Sequence, residues 1–430
     1  MAYNLQPMDV YDVDMETTPY VDPDAGTKGD RWTLNFGPQH PATHTTLRVV
    51  LELDGERVVR TTPHIGYLHS GFEKLGEELD YNQYVCVVSR MNYISPVCND
   101  IAWHNAVEKL FGIDLTPRCK AVRTILAELG RIQDHLLCVG EAALELGAFT
   151  GFIYGFNERE LINDIMDFVA GQRFHVDYTR VGGTMADLPD EATFVRMVKS
   201  FIHDKLPKAV DDLEGLLNSN RIFRDRTEGV GTISAEDALA WSLSGPLARA
   251  AGVARDVRKD EPYLCYADNW DGMGAKPVEF KVPVASQGCV LSRYLIRVAE
   301  IKESARIIEQ LIDNIPTGPM NIDSDGKMTK PPKADVYGSI EGLIQHFQLV
   351  MTNRKWEAPV AEVYAATESP NGELGFYIVS DGGPTAWRVK TRAPSFVNYS
   401  VFPKIMEGHL LSDVVAMMSS INIIAAELDR

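Results

Sequence analysis

Residues Arg118–Leu146 read RCKAVRTILAELGRIQDHLLCVGEAALEL. Val122, Ile125, Leu129, Ile132, Leu136, Val139, Ala143 and Leu146 recur every three or four residues. That spacing puts them on one broad face of a single helix of about eight turns. Pro117 just before it suits a helix start. A helix of this length must bury its apolar face against other helices, so a bundle-like core is expected.

Outward from that helix the pattern stays helical, from about Ile65 to Leu217. Asn157–Gly171 and Asp190–Leu217 read as further helices, and Leu291–Ile315 as another that stops at Pro316-Thr317-Gly318-Pro319. Both ends of the chain read as β. RWTLNF from Arg31 runs into the loop GPQHPATH at Gly37–His44. TLRVVLEL follows, with Leu47, Val49, Leu51 and Leu53 alternating. Asp54-Gly55 is a hairpin turn signal, and ERVVRTTP returns the chain. Near the other end Glu362–Thr367, Gly375–Ser380 and Trp387–Thr391 read as strands, separated by Pro370-Asn371-Gly372 and Asp381-Gly382-Gly383. Asp413–Leu428 reads as a final helix.

The expected class is therefore α+β, a mainly helical core bundle with antiparallel β segments near both ends. The expected divisions are a polar arm 1–30, a β segment 31–64 that carries the GPQHPATH loop, and a helical core 65–320. A polar loop 321–336 and a C-terminal α/β segment 337–430 complete the chain.

Composition narrows the function. The chain has 430 residues, 45% hydrophobic and 24% charged, which is ordinary globular composition. Its net charge of −18 repels nucleic acid and argues against adsorption on anionic lipid. No stretch approaches the roughly 20 apolar residues of a membrane-spanning helix. The acidic N-terminus has neither the form of a secretory signal nor that of a mitochondrial transit peptide. Cys86, Cys98, Cys119, Cys138, Cys265 and Cys289 form no C-x-x-C pair, so free and mostly buried thiols are expected.

The common motifs are missing. There is no Walker loop and no H-E-x-x-H. GVGTIS at Gly229 lacks the third glycine of a dinucleotide loop. Asn321-Ile322-Asp323-Ser324-Asp325-Gly326 begins like a calcium loop, but its twelfth position is Pro332 rather than a glutamate. His40 and His44 stand four apart, a spacing that suits zinc on a helix; Pro41 and the strand that follows argue against a helix. Three readings of the pair stay open: metal ligation, a structural cap on loop backbone groups, and a loop whose side chains face a substrate cleft. Tyr93, in MNYIS at Met91–Ser95, is expected on the next helical region. Glu145 on the long helix lies between Leu144 and Leu146, where a carboxylate needs a partner such as a histidine.

Several segments in order carry a resemblance. They are NFGPQHPATH, PHIGYLH at Pro63–His69, Arg90-Met91-Asn92-Tyr93, GQRFH at Gly171–His175 and VRKDEPY at Val257–Tyr263. TESPNGELGFYIVSDGG at Thr367–Gly383, RAPSF at Arg392–Phe396 and the terminal ELDR complete the series. From about Arg31 to Arg430 the chain resembles the D-type, quinone-site component of the proton-pumping NADH:quinone oxidoreductase, respiratory complex I. The resemblance implies the fold of the nickel-iron hydrogenase large subunit, with no metal site because the cysteine pairs are missing, and a quinone headgroup in the vacated cavity. It implies that His44 and Tyr93 contact the quinone carbonyls. The family commonly has Asp at the position of Glu145, paired with the quinone-site histidine. His175 matches a histidine near the iron–sulfur cluster of a neighbouring subunit. Ser70 stands where many members carry an arginine facing that cluster, and Thr45 where the family usually has glycine.

The resemblance further implies that no cofactor is bound by this chain, with quinone as substrate and with NADH and FMN elsewhere in the complex. The implied partners are other complex I components: the B component that holds the terminal cluster, the C component, the ferredoxin-like I component and the membrane-embedded H component. The implied location is peripheral, on the cytoplasmic side of a bacterial inner membrane rather than in the mitochondrial matrix. Two other readings are a related membrane-bound oxidoreductase with a different electron donor, and a structural scaffold of the peripheral arm.

Overall fold

The computed structural model describes residues 31–322, 330–351 and 358–430. The expected arm 1–30 and residues 323–329 of the expected polar loop, which include the acidic part of the calcium-like segment, fall outside the described residues.

Strands β1 (Arg31–Phe36), β2 (Arg48–Asp54) and β3 (Arg57–His64) form an antiparallel sheet in that order. The period-2 pattern works as expected: Leu47, Val49, Leu51 and Leu53 are all buried, and they pack on Met417, Met418 and Phe402 near the C-terminus. Gly55 turns the β2–β3 hairpin with φ 60°.

The long helix runs Pro117–Glu145, and the Thr116 side chain caps its start by accepting from the Cys119 N–H. It packs on the helices Phe149–Ala170 and Val290–Ile312. Gly155 makes the first crossing close, since a Cβ there would meet the Leu136 carbonyl oxygen at 2.9 Å. The helix expected over Asp190–Leu217 is broken into Glu191–Ser200, a π turn Phe201–Lys205 and Leu206–Leu217. Pro207 has no N–H for the regular ladder, which accounts for the interruption. The expected final helix also divides, into Asp413–Ile421 and Ala425–Asp429. Asn422 between them has φ 57°, and its side chain bonds inward instead of continuing the helix.

A second antiparallel sheet joins Ala361–Ser369, Gly372–Ser380 and Arg388–Arg392. It covers Trp103 of the helix Pro96–Phe111; the Trp103 ring lies edge-on to Phe376 at 5.4 Å, and its Nε1–H donates to the Tyr81 carbonyl at 2.8 Å.

Where the long helix, the helix Val290–Ile312 and this sheet meet, the core is ionic. Arg131, Arg249 and Arg258 interleave with Glu128, Asp256, Glu300 and Glu368, all of them buried. Arg249 donates from Nε to Glu300 at 2.8 Å and from Nη1 to Glu368 at 2.7 Å. Arg258 bonds Asp256 at 2.7 Å and Glu128 at 3.0 Å. Burial raises the proton affinity of Glu128, but Arg131 and Arg258 overcome it and hold the group at about 2. Glu300 likewise sits at about 2, where Arg249 and the His135 hydrogen bond outweigh burial. Both folded values lie below the ordinary 4.5. The stability they contribute is therefore present above about pH 4.5 and is lost as the pH falls towards about 2. Denaturant midpoints measured across this window should drop steeply; a flat profile down to pH ~2 would contradict the assignment.

Candidate active site

The GPQHPATH loop is a tight 3₁₀ turn over Pro41–Thr43. His40 is its cap: Nδ1 accepts the Ala42 N–H at 3.1 Å, and the ring lies 4.3 Å from Phe36. The buried Thr43 hydroxyl donates within the loop to the carbonyls of His40, at 2.9 Å, and Pro38, at 3.1 Å. Gly37 is required there, because a Cβ would meet the Leu47 carbonyl oxygen at 2.3 Å. The loop thus uses His40 internally and turns His44 outward at its end.

His44 and Thr45 follow in the left-handed region, with φ 51° and 62°. That conformation is strained for a β-branched residue such as Thr45. His44 Nδ1 lies 3.5 Å from Glu141 Oε1. The sequence points instead to Glu145, one helical turn further along the same face. Glu145 is the last residue of the long helix and is half-buried. Among the described residues His44 makes its ion pair with Glu141 only.

Burial pushes the Glu141 carboxyl above its ordinary value; His44 opposes this and Asp134 adds to it. Burial and the Glu141 charge raise Glu145 in turn. Glu141 and Glu145 thus influence one another, with the His44 imidazole beside Glu141.

Tyr93 does not stand on a helix as expected. It lies in the turn between Val85–Val88 and Pro96–Phe111. Asn92 makes that turn: its side-chain oxygen accepts the N–H groups of Ile94 at 3.1 Å and Ser95 at 3.3 Å. The Tyr93 ring is partly buried and lies 6.4 Å from the Phe174 ring. Burial, then the Glu141 and Asp134 charges, raise the proton affinity of its hydroxyl. Tyr93, Glu141 and His44 therefore belong to one electrostatic neighbourhood.

The His175 ring also lies against Phe174, 4.3 Å from it, and the residue has φ 53°. Burial, then the Arg90 guanidinium, lower its proton affinity. Ser70 is exposed and donates to the Leu68 carbonyl at 3.2 Å. Its loop is clamped to the chain's end: the Gly66 and Leu68 N–H groups donate to the Asp429 carboxylate at 2.9 and 2.6 Å. No described contact brings Ser70 to His44 or Tyr93.

Sequence reasoning missed Glu141 and Phe174. Glu141 was signalled by its position four before Glu145, on the same face of an otherwise apolar helix end. Phe174 lies inside GQRFH, but nothing in the sequence shows that its ring links Tyr93 to His175.

The six cysteines are free, and only Cys86 is exposed. Among the described residues no group of three or more His, Cys, Asp or Glu side chains is arranged to hold a metal, and no helix is long and apolar enough to cross a membrane.

The sequence profile of a family described as respiratory-chain NADH dehydrogenase, 49 kDa subunit, matches residues 145–430. The chain is 44% identical over 403 residues to the D component of the NADH-quinone oxidoreductase of Methylacidiphilum infernorum, covering 94% of this chain and 93% of that one. It is 46% identical over 397 residues to the corresponding protein of Leptospira biflexa, covering 92% and 94%. It is 43% identical over 398 residues to that of Geobacter sulfurreducens, covering 93% and 98%.

Proposed function

Because the chain belongs to the 49 kDa subunit family of respiratory-chain NADH dehydrogenase, we propose that its part in NADH:quinone oxidoreduction is to bind and protonate the quinone. The observation that carries this reading is the His44–Glu141 pair, whose carboxylate charge also acts on the partly buried Tyr93.

Quinone reduction takes up two electrons and two protons, and the carbonyl oxygens become strongly basic as the electrons arrive. Donors already aimed at those oxygens stabilise the growing charge. The His44 imidazolium and the Tyr93 hydroxyl each give a hydrogen bond and then a proton. The raised proton affinity of Tyr93 keeps its proton in place until a strong base forms on the quinone. Glu141 favours the imidazolium and orients the ring. Glu145, behind Glu141, adds to the negative potential that the imidazolium balances. Thr45 stiffens the backbone that presents the ring.

In this reading electrons come from an iron–sulfur cluster of a neighbouring subunit near His175, with Ser70 on that side as a neutral residue. NADH and FMN belong to other subunits, so this chain supplies no redox group of its own. The proposed fold relationship is to the hydrogenase large subunit, with the metal chemistry lost. The B, C and ferredoxin-like I components and the membrane-embedded H component are its proposed neighbours, on the cytoplasmic face of a bacterial inner membrane. Loss of the His44 proton would leave Glu141 uncompensated, and that change of charge is the proposed start of the signal to the proton-pumping arm.

Glu141→Gln tests the pair. The amide keeps the shape and loses the charge, so the assembled complex should lose quinone-reductase turnover severalfold, more at alkaline than at acidic pH. Turnover equal to the parent's at both ends of the profile would remove Glu141 from the mechanism.

A further inference from the structure

Asp134 stands on the long helix, two turns before Glu141 and on the same face. It is fully buried. Its oxygens accept from Asn422 Nδ2 at 2.7 Å, Asn92 Nδ2 at 3.0 Å and Ser95 Oγ at 3.4 Å. Asn422 Nδ2 also donates to the Asn371 side-chain oxygen at 2.6 Å. The Asn371 side chain lies beside Glu427, and the Ser395 hydroxyl donates to Glu427 Oε2. A row of buried, hydrogen-bonded side chains thus leads from Asn92, next to Tyr93 in the chain, through Asp134 and Asn422 to Asn371, with Glu427 next to it.

Neither Asp134 nor Glu427 has an ion-pair partner among the described residues. Arg159, on the facing helix Phe149–Ala170, is a cation that feels the Asp134 charge. On Glu427's own helix Asp429 is taken by the Gly66 and Leu68 N–H groups, and Arg430 lies over the Phe396 ring at 3.8 Å. Two buried carboxyls coupled in this way do not both hold a charge readily. Burial and the Asp134 charge favour the protonated form of Glu427 over the opposing Ser395 hydrogen bonds.

We propose that Glu427 is a redox-linked protonation site, coupled through Asp134 to the quinone donors. It rests on the reading of His44 and Tyr93 given above. When they pass two protons to the reduced quinone, net negative charge remains beside Glu141 and Asp134. An ionised Glu427 then binds one proton from solvent, which offsets part of that charge, and releases it when His44 and Tyr93 recover theirs. Glu427 does not touch the substrate; it acts through the field of Asp134. Burial, followed by the Asp134 charge, raises the carboxyl to about 7 against the Ser395 hydrogen bond, so near neutral pH it is poised to bind or lose a proton.

Infrared difference spectra of the assembled complex, quinone reduced minus oxidised, test this directly. The parent should gain a protonated-carboxyl C=O band whose amplitude grows as the pH rises through about 7. At lower pH the group is protonated in both states and the band should vanish. Glu427→Gln should lose the band, and Glu427→Asp should restore it. If Glu427→Gln does not assemble, Ser395→Ala serves: losing the hydrogen bond should move the amplitude's midpoint to higher pH. A parent band that Glu427→Gln leaves intact, or a Ser395→Ala midpoint equal to the parent's, overturns the proposal. Either result leaves the quinone-site reading standing, because that reading is judged by Tyr93→Phe turnover.

Discussion

Tyr93→Phe should leave the complex assembled and lower quinone-reductase turnover at least tenfold. The ring's packing beside Phe174 does not involve the hydroxyl, so the turn built by Asn92 should persist. In the proposed role, what is lost is one donor aimed at a carbonyl oxygen that gains charge in the reaction. A tenfold loss is about 1.4 kcal/mol of barrier, and removing one preorganised donor from a site of developing charge costs up to about 10²–10³ in rate. The loss should appear in kcat more than in KM, since the hydrogen bond strengthens as the electrons arrive. Turnover near the parent's, with assembly intact, would sink the role given to Tyr93.

Arg249→Met should destabilise the protein by at least about 3–5 kcal/mol, the usual result of removing one partner from a buried ion pair. Arg249 is fully buried and bonds Glu300, Glu368 and the Arg255 carbonyl. Without it the facing carboxylates of Glu300, Glu368 and Asp256 are left with too little positive charge, and they must protonate or draw in water. Arg249→Lys should rescue little, because one ammonium cannot reproduce the guanidinium's separately directed bonds. The readouts are the thermal midpoint of the full-length chain and the amount of assembled complex. A midpoint within a degree or two of the parent's would show that the network is not what holds the long helix to the C-terminal sheet.

The sequence reports some of this plainly. Val122 through Leu146 mark the long helix because a buried helix face has a fixed period, and Leu47 through Leu53 mark β2 because a half-buried strand has another. The buried ionic core is silent by comparison. Arg131, Arg249, Arg258, Glu300 and Glu368 come from four distant segments, and an arginine in a helix reads as a surface residue until its partners are known. Local hydrogen bonding also overrides period. The turn that holds Tyr93 depends on one Asn92 side chain, and the break at Asn422 depends on Asp134, far away in the chain. In the candidate site, His44 and Tyr93 were legible only through the ordered segments shared with a known family. The pairing of His44 with Glu141 rather than Glu145 was not, because residues one helical turn apart share a face and the sequence does not distinguish them.

His44 and Tyr93 are proposed to face one quinone headgroup. A density map of the assembled complex with bound quinone tests it most directly. The two carbonyl oxygens should lie within about 3 Å of a His44 ring nitrogen and the Tyr93 hydroxyl, with Glu141 on the other side of the imidazole. A headgroup seated elsewhere, with the Tyr93 hydroxyl bonded to protein instead, would contradict it.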